Sequence, residues 1–329
     1  MITAPANRSA VKTRCGFCEK RMKFPQSPTF GSKNPLVILP GLPTIASMMT
    51  RRLALCLLLA FGASPAFAQE KLFPETPGVV SYTFREDLKK DTAGTLDKIK
   101  ALGITDIEFS DLFGNTAQEL RKMLDDRGMT CSSYGTSYDN ALKKTDETAA
   151  NAKALGAKFV RVAWIPHKGA FDLELTKKVA ADFNTIGKAL KEHDLSFCYH
   201  NHGYEFAAHE NGTLFDELVK LTDPAYVNYE IDILWAFYPG IDPAALIEKH
   251  GSRFKLMHLK DLKKGVKGDH SGKTPVENDV ALGTGQLDMP AILKAAKKAG
   301  LAHYYIEDES PQPWVQVPQS LTYLKSLTK

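Results

Sequence analysis

Four short segments place imidazoles and carboxylates at two-residue spacing. Cys198-Tyr199-His200-Asn201-His202-Gly203-Tyr204-Glu205 puts His200 and His202 on one face of an extended strand, with Glu205 just beyond. Tyr229-Glu230-Ile231-Asp232 pairs Glu230 with Asp232. Met257-His258-Leu259-Lys260-Asp261 pairs His258 with Lys260, and Ile306-Glu307-Asp308-Glu309 pairs Glu307 with Glu309. Imidazole and carboxylate are the ligand types of a divalent cation that keeps positions open for substrate. Glu230 and Asp232 lie in an otherwise apolar strand, where unpaired carboxylates are costly and a cation would neutralise them. The competing reading is a buried polar network without metal. His167, His193, His209, His250 and His303 are expected on the surface or satisfied in the core, and Asp308 and Glu309 as solvated loop charges.

These residues need elements that bring them to one place. Short apolar or β-branched runs predict strands at Val79–Phe84, Asp106–Phe109, Thr130–Tyr134, Phe159–Trp164, Ser196–His200, Val227–Asp232, Lys255–Leu259 and Tyr304–Glu307. Amphipathic stretches lie between them, several ending at glycine (Gly103, Gly128, Gly156, Gly300), the usual C-terminal stop of a helix. Eight strand–helix units predict an α/β fold, a single (β/α)8 barrel. Such a barrel takes about 250 residues and carries chemistry at the C-terminal strand ends, where the four segments fall. An open doubly wound sheet is the alternative, but no G-x-G-x-x-G follows the first strand. The long Lys-, Gly- and Asp-rich connection 261–285 reads as a loop over the active face.

Of 329 residues, 43% are hydrophobic and 24% charged, ordinary for a globular protein. The formal charge of +4 is misleading. Residues 1–68 hold nine basic residues and one acid, Glu19, so residues 69–329 carry 33 basic against 37 acidic, a net −4. That counts against nucleic acid as a partner. Residues 51–68 (RRLALCLLLAFGASPAFA) have a basic start, an apolar run too short to span a bilayer, and an Ala66-Phe67-Ala68 cleavage signal. The expectation is a signal peptide over 48–68 cleaved near Ala68, an upstream extension over 1–47 that is not native, and a catalytic domain over 69–329. That predicts a periplasmic or secreted protein with no membrane anchor after cleavage. Cys15 and Cys18 look like half a zinc site without a second pair. Cys131 and Cys198 lie in predicted strands, which favours buried free thiols over a disulfide.

From about Gly78 onward the chain resembles the xylose-isomerase-like barrels, also called sugar phosphate isomerases/epimerases. The carrying segments are Ser81-Tyr82-Thr83-Phe84-Arg85, Gly103-Ile104-Thr105-Asp106-Ile107-Glu108, Tyr199-His200-Asn201-His202-Gly203-Tyr204-Glu205-Phe206, Glu230-Ile231-Asp232, His258-Leu259-Lys260-Asp261, Gly283-Thr284-Gly285 with Leu287-Asp288, and Tyr305-Ile306-Glu307. The resemblance implies one divalent ion, commonly manganese (zinc, cobalt or magnesium being alternatives), with one ligand from each of strands five to eight. Asp232, His258 and Glu307 match. On strand five the epimerases carry glutamate, and this chain carries His200, with His202 a second choice on the same face and Glu205 a more distant one.

That departure breaks the symmetric glutamate pair with which the epimerases remove and return a proton beside a metal-held enediolate. Glu307 remains as one catalytic group, and His202, Glu230 or Lys260 would supply the other. Members with a Tyr-His-x-His segment resemble inositol-catabolism dehydratases and enzymes acting on 3-keto-glycosides. The leading expectation is a sugar isomerase/epimerase-like enzyme, with lyase, hydratase or hydrolase chemistry on a keto-sugar or inositol-derived ketone second. A non-catalytic sugar-binding accessory subunit is the reading from another class. Apurinic endonuclease chemistry is disfavoured because strand three ends Ser132-Ser133-Tyr134, without histidine. Arg85, Glu108, Arg161 and Glu205 are expected to bind sugar oxygens, and Trp164 and Trp235 to stack on a sugar ring. The partner is thus a small sugar or keto-sugar; a homo-oligomer is compatible with the sequence.

Overall fold

The computed structural model describes residues 71–73 and 75–327. The expected signal peptide and upstream extension lie outside them. The chain divides into two units, Met1–Ala66 and Phe67–Lys329, and every described residue belongs to the second. No helix among the described residues is long and apolar enough to cross a membrane.

Eight parallel strands close into a barrel. They are β1 (Gly78–Val80), β2 (Asp106–Phe109), β3 (Thr130–Thr136), β4 (Phe159–Val162), β5 (Ser196–His200), β6 (Val227–Asp232), β7 (Phe254–Leu259) and β8 (His303–Ile306). Each pairs with its sequence neighbour, and β8 closes on β1 through Gly78–Tyr305 and Val79–Ile306. A helix follows every strand, so the expected (β/α)8 class is the observed one. Local sequence explains where these helices begin. Thr116 with Glu119, and Thr213 with Asp216, form reciprocal capping boxes that satisfy otherwise orphan N–H groups. Asp172, Asp242 and Asp288 cap three more. Gly156 ends its helix at φ 82°, a left-handed position that costs other residues steric strain.

The strand period of two sorts the barrel interior into layers. Val80, Cys198, Leu256 and Tyr305 form a small apolar cluster, with Phe159 packed against it. One two-residue step further along β4, β5, β7 and β8 stand Arg161, His200, His258 and Glu307. The apolar layer floors the polar one. The other core residues, Ile107, Val160, Phe197 and Ile231 among them, belong to the large cluster that also takes in the helices. Cys131 and Cys198 are free and buried, as expected.

The first strand differs from its expected span. β1 stops at Val80, and Ser81–Phe84 turn into a 3₁₀ helix. Ser81 Oγ accepts from Ser110 N at 2.7 Å, and Thr83 Oγ1 accepts from Asp308 N at 2.9 Å. These small polar side chains tie β1 to the ends of β2 and β8, so the alternating Ser-Tyr-Thr-Phe pattern marks a turn. Strand four also ends earlier, at Val162, which leaves Trp164 in a loop.

The connection after β7 carries a two-residue antiparallel ribbon, Asp261–Leu262 with Asp279–Val280. From there it reaches the C-terminal mouth of the barrel. Gly272 packs against the His202 carbonyl so closely that an added Cβ would lie 2.9 Å from that oxygen.

Candidate active site

The ends of β5 to β8 bring His200, Asp232, His258 and Glu307 together. One ligand atom from each lies within 4.8 Å of the others. His200 Nε2 is 3.0 Å from His258 Nδ1 and 3.3 Å from Asp232 Oδ2. His258 Nδ1 is 3.1 Å from Glu307 Oε2 and 3.9 Å from Asp232 Oδ2. Ligands at about 2.1 Å from one ion in tetrahedral array stand roughly 3.4 Å apart, so these four converge as ligands do. Asp232 Oδ2 is buried and has no hydrogen-bond partner, while its Oδ1 caps the following turn at Trp235 N. Unpaired buried carboxylate oxygen is costly. A divalent cation answers it, and the two-imidazole, two-carboxylate donor set suits one. His200 is the histidine within this group. His202 stands next to it, its Nδ1 3.3 Å from His200 Nδ1.

Beneath the four lies a second tier of charge. His258 Nε2 faces Glu108 Oε1 at 2.9 Å and Glu230 Oε2 at 3.2 Å. With Nε2–H donated there, Nδ1 is left to face the cluster, the usual carboxylate–histidine arrangement at metal sites. Arg161 donates to Glu108 Oε1 at 3.0 and 2.6 Å and approaches Glu230 at 3.4 Å. Burial alone would raise the Glu108 carboxyl, but Arg161 and His258 hold it well below the carboxylate range. Burial, with Glu108 as a like-charged neighbour, pushes Glu230 up to about 7. Burial opposes charge on His258, yet Glu230, Glu307 and Glu108 hold its pKa well above the usual value. Burial and the neighbouring His258 push His200 well down, and burial with His200 takes His202 to about 3. Both are therefore neutral imidazoles at pH 7.

On the β8 side, Lys260 is 1% exposed and surrounded by acid. Its Nζ lies 2.6 Å from Glu309, 3.1 Å from Glu307 and 3.4 Å from Asp279. Burial would lower its pKa, but these carboxylates keep it well above normal. It is a fixed cation that positions Glu307 and Glu309.

A cavity of about 520 Å³ opens over the cluster. Arg161, His200, His202, His258, Glu307 and both Trp164 and Trp235 line it. Several expected residues do not. Glu108 and Glu230 are fully buried in the lower tier and face His258. Glu205 is also fully buried, accepting from Tyr199 OH at 2.5 Å and His202 N at 3.0 Å, so it braces the β5 turn. Lys260 borders only a recess of about 20 Å³ beside the cavity. Arg85 begins a helix, donates to the Tyr82 carbonyl at 2.8 Å and borders a neighbouring depression, because β1 turns away four residues earlier. Sequence reasoning missed Tyr82, Ser110, Thr136, Ser137, Asp139 and Gly272, which also line the cavity. Tyr82 lay inside a recognised segment without a role. Thr136 ends β3 two residues beyond the expected strand, Asp139 lies in the first turn of the helix Tyr138–Lys143, and Ser110, Ser137 and Gly272 sit in connections that carry no periodic signal.

A family model described as the xylose isomerase-like TIM barrel matches residues 96–327. An inosose dehydratase from Clostridium tetani is 33% identical over 100 residues, 30% of this chain and 33% of the relative. An inosose dehydratase from Bacillus anthracis is 25% identical over 191 residues, 52% of this chain and 63% of the relative. The chain thus spans less than two thirds of the length of either. A solved sugar phosphate isomerase/epimerase from Parabacteroides distasonis superposes with a TM-score of 0.62 at 26% identity, covering 80% of this chain and 96% of that one. The IolI protein with a bound zinc atom shares the fold, with a TM-score of 0.59 at 14% identity over 76% of this chain and 95% of that one. The chain shares its fold with these proteins, and its buried cluster has the donor set of a divalent-metal site.

Proposed function

Since the chain belongs to the xylose isomerase-like TIM barrel family, we propose that it is a divalent-metal-dependent lyase acting on a ketone of a sugar or cyclitol ring. His200, Asp232, His258 and Glu307 would hold the ion. When bound, such an ion supplies a Lewis acid for the charge that develops on the ketone oxygen as the neighbouring C–H is deprotonated.

The observation that carries this reading is the asymmetry of the cavity wall. An epimerase returns a proton to the same carbon from the other side, which asks for two equivalent bases. Here the β5 position that resemblance assigns to a glutamate is His200, and it faces the ligand cluster. What lines the cavity beside it is the imidazole of His202, while β8 contributes Glu307 and the loop beyond it Glu309. Unlike groups on the two sides suit elimination. One takes the proton from the carbon next to the ketone. The C–O bond on the following carbon breaks, a C=C bond forms, and the departing oxygen receives a proton. Trp235 stacks on His202 at 5.7 Å and Trp164 meets it edge-on at 5.3 Å, which fixes the imidazole plane. The inosose dehydratases are relatives whose name describes loss of water from such a ring ketone. Export directed by residues 48–68 belongs to the same proposal.

The test is incubation of the metal-loaded protein with an inosose and with methyl 3-keto-glucoside in deuterated water. The expected result is an α,β-unsaturated ketone, seen by its ultraviolet absorbance, with released water or methanol. Rearranged sugar without loss of a group would instead favour the isomerase. Binding without deuterium exchange would make the protein a sugar-binding subunit. Neither binding nor exchange would sink the proposal.

A further inference from the structure

The cavity has a floor and a rim of different character. At the floor, Trp235 is 6% exposed and spent on His202 and Tyr238, its ring 5.7 and 5.6 Å from theirs. At the rim, Tyr82 and Trp164 are 40% and 38% exposed. Only five large hydrophobic side chains among the described residues are so exposed, and these two line the same cavity. Scattered exposed apolar residues need no explanation, but aromatic ones gathered at a polar cavity indicate a binding surface.

Each ring is also held. His167 stacks behind Trp164 at 5.7 Å and 20°, and Tyr204 meets its edge at 5.1 Å. Tyr204 is anchored in turn, its hydroxyl accepting from Ile165 N at 2.9 Å. The Arg85 guanidinium covers Tyr82 at 4.2 Å. Rings fixed in this way lose little freedom on binding a ligand. The two follow β1 and β4, three strands apart around the eight-strand ring, and both line the mouth. A cavity of about 520 Å³ also exceeds what one pyranose ring fills.

We propose that Tyr82 and Trp164 form a leaving-group subsite, and that the substrate is a glycoside whose departing alcohol carries a ring with a flat apolar face. This rests on the lyase reading and narrows it: the oxygen that leaves belongs to a ring-bearing alcohol, not to water. The ring is either an aryl group or the C–H face of a second sugar.

Unoxidised glucosides test the subsite without turnover, because they lack the ketone that acidifies the C–H bond. Calorimetric titration of the protein compares methyl glucoside, phenyl glucoside and cellobiose. Phenyl glucoside or cellobiose is expected to bind about three- to tenfold tighter than methyl glucoside, as one aromatic stacking contact provides, and the tighter of the two identifies the ring. Tyr82→Ala and Trp164→Ala should each erase that preference, and Trp164→Phe should restore part of it. Equal affinity for all three probes, or equal losses for all three in the variants, would overturn the subsite. A preference that holds in a protein with no lyase activity would retain the subsite and reject the reaction.

Discussion

Replacing Glu108 by glutamine tests whether the charged tier beneath the cluster sets its affinity for metal. Glu108 Oε1 faces His258 Nε2 at 2.9 Å and accepts from Arg161 at 2.6 and 3.0 Å, all without solvent. Glutamine keeps the shape and one acceptor oxygen but loses the charge. A hydrogen bond to a charged group nets about 1.5–3 kcal/mol and a neutral one about 0.5–1.5 kcal/mol. The loss at His258 is then about 1–1.5 kcal/mol, or roughly five- to tenfold in affinity at about 1.4 kcal/mol per decade. Removing an outer partner of a metal-bound histidine typically costs about 10- to 100-fold, so the estimate sits at the gentle end, as a conservative replacement should. Arg161 keeps Glu230 at 3.4 Å as a countercharge, so the variant should fold, with a lowered Tm. The assay is competition for zinc and manganese against a chromophoric chelator, with circular dichroism to establish the fold. A folded variant that binds both metals within twofold of the parent chain would refute the role given to Glu108.

Two further expectations concern buried groups away from the ligands. Burial pushes the Glu205 carboxyl from an ordinary 4.5 up to about 7, against hydrogen bonds from Tyr199 and backbone N–H groups that pull it down. The folded chain therefore keeps a proton that the unfolded chain has released, so stability is greatest below about pH 4.5 and falls as pH rises toward 7. At about 1.4 kcal/mol per pH unit the fall amounts to roughly 3 kcal/mol. Glu205→Gln should remove that slope, and thermal unfolding at pH 5 and pH 8 reads it; parallel pH profiles for the two proteins would contradict the assignment. Burial also pushes the Cys131 and Cys198 thiols well above their usual range. Peptide mapping after a brief native-state alkylation should find both unlabelled and both labelled in denaturant; native labelling of either would mean that the barrel opens there.

The cluster of His200, Asp232, His258 and Glu307 was legible because three of its members obey one local rule, and Asp232 continues the same two-residue step beyond Glu230. On β5 to β8 the inward face repeats every second residue, so a polar residue two positions beyond an apolar inward one, as with Leu256 and His258 or Tyr305 and Glu307, declares itself in the string. The lower tier was not legible. Glu108 meets His258 across 150 positions, and nothing local separates a carboxylate that faces a sugar from one that faces a histidine. Arg85 fails for a related reason. Its segment alternates like a strand, but Ser81 and Thr83 find partners in the loops after β2 and β8, and the chain turns before Arg85 can reach the mouth. Side-chain hydrogen bonding to distant backbone decided that boundary.

The segment His258-Leu259-Lys260-Asp261 shows how one recognised motif divides between chemistry and architecture. His258 and Lys260 share a face, and both meet Glu307, the first from within the ligand cluster and the second as its fixed countercharge. Asp261 points the other way. Its Oδ1 accepts from Leu262 N at 2.9 Å and Leu287 N at 3.1 Å, and its Oδ2 from Gly283 N at 2.9 Å and Gly285 N at 3.0 Å. A Cβ on Gly285 would lie 2.1 Å from Asp261 Oδ1, so the second glycine of Gly283-Thr284-Gly285 is there to let backbone approach carboxylate. That carboxylate holds the far end of the long connection, while Gly272 near its middle rests on the His202 carbonyl. The Gly-Thr-Gly segment, which helped to mark the family, therefore carries no chemistry of its own. It anchors the loop that closes the mouth beside His202, and the same side of the barrel that supplies His258 to the cluster also fixes the edge of the cavity above it.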